Sequence, residues 1–290
     1  VADTAKDKDG FVRFWIIDAV GKLGNEAYVP IARAALEDKD DYVRINAAKV
    51  LSQLGQEDGS KKLIDALSLT PSGISTSPEG PHRNRRAGKL KMFAIECLGE
   101  IGSLTAIPYI CKMLDSRHWP IRASSAWALG MIGDRSAVPS IMPLTRDRVK
   151  MVQISAAEAT ARLGEEKGTA PLRSALVDKD KKVKYKAAES LAKLGYKTGV
   201  ELLVDALEDP DTDIQNTAVT ALGKVGDATV LEPLRKKLES ENWQLRADVA
   251  VALGRIGEPD SLDLLQKNLE DSARNVRVCT AVAILMIIGK

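Results

Sequence analysis

A glycine closes an apolar stretch at Gly24, Gly55, Gly102, Gly133, Gly164, Gly195, Gly226 and Gly257, and every interval but one is 31 residues. A period of that length is the mark of a repeat architecture, in which each unit buries its apolar stripe only by stacking on its neighbours. The exception, Gly55 to Gly102, measures 47 residues, one period plus a 16-residue insertion. Twelve residues before each glycine stands an apolar residue followed by a polar, usually cationic one: Val12-Arg13, Val43-Arg44, Leu90-Lys91, Ile121-Arg122, Val152-Gln153, Val183-Lys184, Ile214-Gln215 and Leu245-Arg246. Val276-Arg277 opens a final half repeat over residues 272–290.

Inside a unit the apolar residues recur at helical spacing, as at Ile121, Ala126, Leu129 and Ile132, which predicts a first helix with one buried face. Five residues after the closing glycine a second apolar set begins, for example Val138, Ile141 and Leu144, and predicts a second helix of about three turns. Asp40, Asp180, Asp211 and Asn242 stand where a side-chain oxygen caps the start of the first helix. Pro30, Pro108 and Pro139 fall in the first turn of the second, where a missing N–H costs nothing. The expected fold is therefore an all-α solenoid of about nine two-helix repeats spanning 1–290 as a single domain.

Units such as Trp119-Pro-Ile-Arg-Ala-Ser-Ser-Ala-Trp-Ala-Leu-Gly-Met-Ile-Gly-Asp134 resemble the short HEAT-like repeats also seen in phycobilin lyases. The resemblance runs over nearly the whole chain and implies a fold more than a function, because such repeats occur in scaffolds, adaptors and a few enzymes. It also implies an aspartate–arginine ladder between repeats. Gln153, Gln215 and the insertion depart from the pattern, so the ladder is expected to be interrupted there.

Composition narrows the function. Lysine and arginine number 42 against 40 acidic residues, so no global field draws in nucleic acid or an anionic membrane. Cys97, Cys111 and Cys279 show no CxxC spacing, which argues against a disulfide framework or a zinc site and makes a reducing compartment such as the cytoplasm the default. Cys97 takes a slot filled by alanine in sister repeats and reads as a small core residue. The chain starts at Val1 rather than methionine, which leaves export after removal of a leader open. The longest apolar run, Ala281 to Ile288, is too short to span a bilayer, so no membrane insertion is expected.

Three features are candidates for contact with a partner. The insertion, about Leu69 to Lys89, is rich in Ser, Pro and Gly and reads as a loop; its basic end, His82, Arg83, Arg85, Arg86 and Lys89, suits an acidic protein surface or a phosphate. Trp15, Trp119, Trp127 and Trp243 occupy positions that are mostly polar in sister repeats, and tryptophan is over-represented among residues that dominate interface energies. The second helices are expected to line the concave face. Their outward positions hold Lys61, Lys112, Lys236 and Lys267 but also Glu37, Asp65, Asp115, Glu201, Asp205, Glu208, Glu232, Asp263 and Glu270, an acidic excess that argues against a nucleic-acid groove.

No glycine-rich phosphate loop, nucleophile elbow or metal box is present in the sequence, and no catalytic, cofactor or metal residue is assigned. An iron-dependent hydroxylase of the HEAT type would need several His-Glu pairs, and neither His82-Arg83 nor His118-Trp119 provides one. The expected function is a non-enzymatic scaffold or adaptor for another protein. The alternatives are a phycobilin lyase-like protein that handles a chromophore and a nucleic-acid-binding repeat protein. The segment Ala281 to Ile288 is apolar on all sides, which predicts that further chain, a second subunit or a partner covers it.

Overall fold

A computed structural model describes residues 7–68, 80–226 and 228–289, with the backbone alone at 80–85 and 228. The 31-residue rule appears in it as pairs of helices, with no strand among the described residues. The chain divides into two units, Val1–Gly168 and Thr169–Lys290. The first holds α1 (Gly10–Leu23), α2 (Val29–Ala34), α3 (Asp41–Gln53), α4 (Glu57–Leu67), α5 (Gly80–Glu100), α6 (Ile107–Met113), α7 (Trp119–Ile132), α8 (Val138–Ile141) and α9 (Lys150–Arg162). The second holds α10 (Thr169–Ala175), α11 (Lys181–Lys193), α12 (Lys197–Asp205), α13 (Thr212–Val225), α14 (Leu231–Lys236), α15 (Trp243–Ile256), α16 (Leu262–Asn268) and α17 (Arg274–Ile288).

Local chemistry sets the boundaries. Asp40, Asp180, Asp211 and Asn242 each accept the N–H two residues on, and Asp9 does the same for α1. The eight closing glycines are the residues with positive φ among those described. Gly133, at φ 84°, shows the reason: its N–H reaches back to the Leu129 carbonyl from a left-handed conformation that a side chain would strain.

Except for α4, whose 11 residues make three turns, the second helices are shorter than three full α-turns. The run from Arg135 passes through a 3₁₀ turn to Ala137, four α-helical residues in α8, and a second 3₁₀ stretch, Met142–Arg146. The same 3₁₀–α–3₁₀ succession recurs at 26–37 and 228–239, each of which holds a single proline. The insertion also differs from its expected loop: residues 80–89 extend α5 at its N-terminus. Pro81 lies in the first turn, where it is tolerated, and the arginines and lysine after it are good helix formers.

First helices stack on first helices, α7 against α5 and α9, and α15 against α13 and α17. Four glycines set how closely. A Cβ built on Gly99, Gly130, Gly223 or Gly254 would lie 2.8, 2.7, 2.8 or 2.6 Å from the Cα of Ala128, Ala159, Ala252 or Ala283. The small residues therefore form one register, glycine in one repeat against alanine in the next.

Aspartate and arginine lock the same stacks from the side. Arg13 makes two bonds to the Asp38 carboxylate, both 2.7 Å; Arg122 makes two to Asp147 at 2.8 and 2.9 Å; Arg246 makes two to Asp271 at 2.7 and 2.9 Å. Each carboxylate also accepts a backbone N–H, from Asp40, Val149 or Ala273. The guanidinium holds each carboxyl below the usual aspartate range, against the opposing effect of burial. The expected interruptions are partial. Gln153 and Gln215 still donate to the carbonyls of Asp147 and Asp209, at 2.5 and 2.8 Å, as Arg277 does to Asp271. What Gln215 lacks is the ion pair, and the acid's slot in the following repeat holds Ser240. Beside the insertion, Arg44 donates to the Asp38 carbonyl and pairs with Asp41 on its own helix.

Cys97 is buried, and burial pushes its thiol up to about 12. Cys111 and Cys279 are half-buried. In the folded protein an alkylating reagent is expected to modify Cys111 and Cys279 first and Cys97 only on unfolding, as read by mass spectrometry of the labelled peptides. Modification of Cys97 at the rate of Cys111 would contradict the packing of α5.

Candidate functional site

The outward positions of the second helices are all exposed, from Glu37, Lys61, Asp65, Lys112 and Asp115 in the first unit to Glu201, Asp205, Glu208, Glu232, Lys236, Asp263, Lys267 and Glu270 in the second. The second unit concentrates the acid there. Lys197 pairs with Glu201 at 3.6 Å, Lys237 with Glu208 at 2.8 Å and Arg235 with Glu232 at 2.6 Å, which leaves Asp205, Asp263 and Glu270 outside the ion pairs of the described residues. Between α12 and α14 lies a groove of about 600 Å³, with Val200, Val204 and Val230 as its apolar lining and Glu201, Asp205 and Lys197 among its charged groups.

Deeper charge is committed to structure. Burial pushes the Glu189 carboxyl up, but the combined pull of Lys186 and Lys193, at 2.9 and 2.6 Å, outweighs it and holds the group at about 2. Among the described residues no group of three or more His, Cys, Asp or Glu side chains is placed to hold a metal ion, and no helix is long and apolar enough to cross a membrane.

The tryptophans are divided. Trp119 and Trp243 open α7 and α15 with 44% and 42% of their surface exposed, while Trp127 is half-buried against the first unit's core. Trp15, half exposed, belongs to an aromatic cluster that the sequence reading missed. Its ring meets Phe11 edge-on at 5.9 Å and Phe14 at 5.7 Å; Phe14 meets Phe93 at 5.9 Å, and Phe93 meets Tyr42 at 5.7 Å. These five rings and Asp40 line a pocket of about 400 Å³ whose floor also includes Gly10. Asn46, buried in α3, donates to the Phe14 carbonyl at 3.0 Å and fixes the turn of α1 that carries the rings. All three phenylalanines of a chain with only 4% aromatic residues lie here, which was the available signal.

The basic end of the insertion is brought to the same unit. Arg86 is exposed and pairs with Asp41 at 3.1 Å, and Lys89 is exposed on α5. The side chains of His82, Arg83 and Arg85 lie outside the described residues, as do residues 69–79. At the other end of the chain, α17 exposes Val278, Val282, Leu285 and Ile288, with 70% of the Leu285 surface open.

Stacked helix pairs with a small-residue register, a lateral aspartate–arginine ladder and an exposed second-helix face define an α-helical repeat protein. The chain belongs to the HEAT-repeat family: the family's model matches residues 2–74, 83–161, 140–215 and 200–285. Among curated proteins no sequence matches it significantly. Among solved structures it is similar to the complex of CpcE and CpcF of phycocyanin lyase from Nostoc sp. PCC7120, at 18% identity, 89% of this chain, 94% of that chain and a TM-score of 0.54. It also matches human deoxyhypusine hydroxylase in complex with glycerol, at 23% identity, 97% of this chain, 98% of that chain and a TM-score of 0.41. At 18% identity the likeness to the CpcE–CpcF complex describes a shared fold.

Proposed function

We propose that the chain is a non-enzymatic scaffold or adaptor that holds another protein on the exposed face of its second helices. The acidic excess of that face between residues 201 and 270 is the observation that carries the reading, together with the valine-lined groove beside Glu201 and Asp205. A segment with basic and aliphatic side chains is the complement of such a surface, and charge complementarity sets both its selectivity and its capture rate. The same acid speaks against a nucleic-acid phosphate backbone.

The exposed apolar face of α17 fits this role. Val278, Val282, Leu285 and Ile288 form a surface covered by further chain, a second subunit or the partner. Arg86 and Lys89 add a basic site for an acidic patch on the bound protein.

The test is affinity capture from the native source with the full chain as bait, beside the triple variant Asp205→Lys, Asp263→Lys, Glu270→Lys. The variant is expected to fold as the parent by far-UV circular dichroism and to bind the captured protein at least about tenfold more weakly, most clearly at low salt. Undiminished binding by the variant would remove the second-helix face from the function.

A second reading, handling of a bilin chromophore, is favoured by the fold likeness to the CpcE–CpcF complex over most of both chains. Mixing the protein with free bilin separates the two. A saturable, red-shifted visible band would support the chromophore reading, and unchanged bilin absorbance would leave the scaffold.

A further inference from the structure

We infer that the aromatic pocket of the first unit is a binding site for a quaternary ammonium group, carried on a trimethylated lysine of the partner protein. The inference rests on the scaffold reading and names a recognition element within it. The pocket joins Phe11, Phe14 and Trp15 from α1, Tyr42 from α3 and Phe93 from α5, so three helices distant in sequence converge on one small volume. Aromatic faces are electron-rich, and a cation within about 6 Å of such a ring is drawn to it, most strongly by tryptophan. Lys22 lies outside the pocket, with its Nζ 2.8 Å from the Asp18 carboxylate and 6.0 Å from the Trp15 ring centre.

The polar group of the pocket selects among cations. Asp40 is the sole carboxylate in its lining, and Oδ1 of that carboxylate is already engaged by the Tyr42 N–H at 2.8 Å. Oδ2 lies beside Gly10, where a built Cβ would come within 3.0 Å, so glycine at position 10 keeps that side of the carboxylate free of a side chain. One carboxylate oxygen cannot satisfy the five N–H donors of an arginine or the three of a primary ammonium, and donors buried unpaired are costly. A trimethylammonium group has no N–H to satisfy. It presents methyl surface to the rings and its charge to Asp40. A neutral apolar side chain would fill the same volume but leave that carboxylate desolvated without a counter-charge.

Charge around the rim favours lysine over a choline headgroup, which brings a phosphate beside its ammonium. Asp7 and Asp9 lie at the start of α1 and Asp40 and Asp41 at the start of α3, while Arg13 is held by Asp38 and Arg86 by Asp41. Half of Trp15 and most of Phe11 stand open at the edge, where an aliphatic stem can leave the pocket. Asp40 thus has two roles, capping α3 and facing the ligand.

Proton NMR with the full chain tests the idea, using Nα-acetyl-Nε-trimethyllysine amide as probe. Unmodified acetyl-lysine amide, the neutral isostere with carbon in place of the ammonium nitrogen, and phosphocholine are the comparison probes. The trimethyl signal is expected to move upfield in the ring currents and saturate, with affinity at least about tenfold above both the unmodified and the neutral probe. Trp15→Ala and Asp40→Asn are each expected to weaken it at least about fivefold; asparagine keeps the helix cap, so that variant keeps its fold. Equal binding of the neutral isostere would reduce the pocket to an apolar hole, tighter phosphocholine binding would assign it to a lipid headgroup, and no saturation at about 50 mM probe would end the proposal. If trimethyllysine fails while the captured partner still depends on Asp205, Asp263 and Glu270, the pocket inference falls and the scaffold stands.

Discussion

Replacing Arg122 with alanine is expected to lower the free energy of unfolding by about 3 kcal/mol, the scale on which breaking one side of a buried ion pair acts. The loss is large because the guanidinium makes three bonds at once, to two groups. Two bonds go to Asp147 at 2.8 and 2.9 Å and one to the Ser116 carbonyl at 2.7 Å, all at the junction of two repeats. Without it, the Asp147 carboxylate keeps the Val149 N–H and loses its counter-charge. The pH dependence has a definite sign. Asp147 titrates below its unfolded value because of Arg122, so the stabilisation is complete above the ordinary aspartate pKa of about 3.9 and is lost as pH falls toward the folded value. The gap between parent and variant should therefore be constant near neutrality and narrow in acid. Urea titrations at several pH values measure it, and a neutral-pH difference under about 0.5 kcal/mol would show that the ladder contributes little to stability.

Gly130→Val is expected to cost a similar amount, about 3 kcal/mol, by forcing α7 and α9 apart. A Cβ at this position meets the Cα of Ala159 at 2.7 Å and its Cβ at 2.8 Å, and backbone cannot swing aside as a flexible side chain can. Alanine gains helix propensity of about 1 kcal/mol over glycine in an unconstrained helix, so Gly130→Ala tests the packing most cleanly. It should destabilise despite that gain. Adding Ala159→Gly should recover part of the loss, because one of the two contacts disappears, and the coupling is read from the double-mutant cycle. A Gly130→Ala chain more stable than the parent would mean that the two helices have room to spare.

Much of the fold was legible because its determinants are local. A left-handed glycine, an aspartate cap and a proline in a first turn each act within a few residues, and a 31-residue period repeats the same statement until chance is excluded. Two local readings still missed. The Gly-Pro-His run at 80–82, inside the insertion, has the composition of a loop, yet residues 80–89 are helical, because helix formers follow Pro81. The second helices break into 3₁₀ and α pieces whether the run holds two prolines, as at 135–146, one, as at 228–239, or none, as at 197–208, so the break has no proline signal in the sequence.

The aromatic pocket was less legible for a different reason. Trp15 stands out because sister repeats place polar residues at its position, whereas Phe14 takes a position that is apolar in most of them, such as Ile45, Met92, Ile154 and Val278. Tyr42 and Phe93 come from two further helices, on opposite sides of the insertion, and the period says that helices stack without saying which rings meet across them. The second-helix acids, by contrast, could be placed from spacing alone, since outward positions follow directly from the helical period.

The glycine register has a consequence for growth. In the closest stacks the position that admits the incoming alanine is empty of side chain, as at Gly223 and Gly254, whereas Ser52 and Ala192 hold a small side chain there and their helices still pack on the next. One period beyond Gly254 that position is Leu285. Its side chain fills the place that the glycines leave open, so a helix docking on α17 cannot approach it as closely as α17 approaches α15. Whatever covers α17 must therefore pack around the open Leu285 side chain, at a greater distance than the glycine-seated pairs.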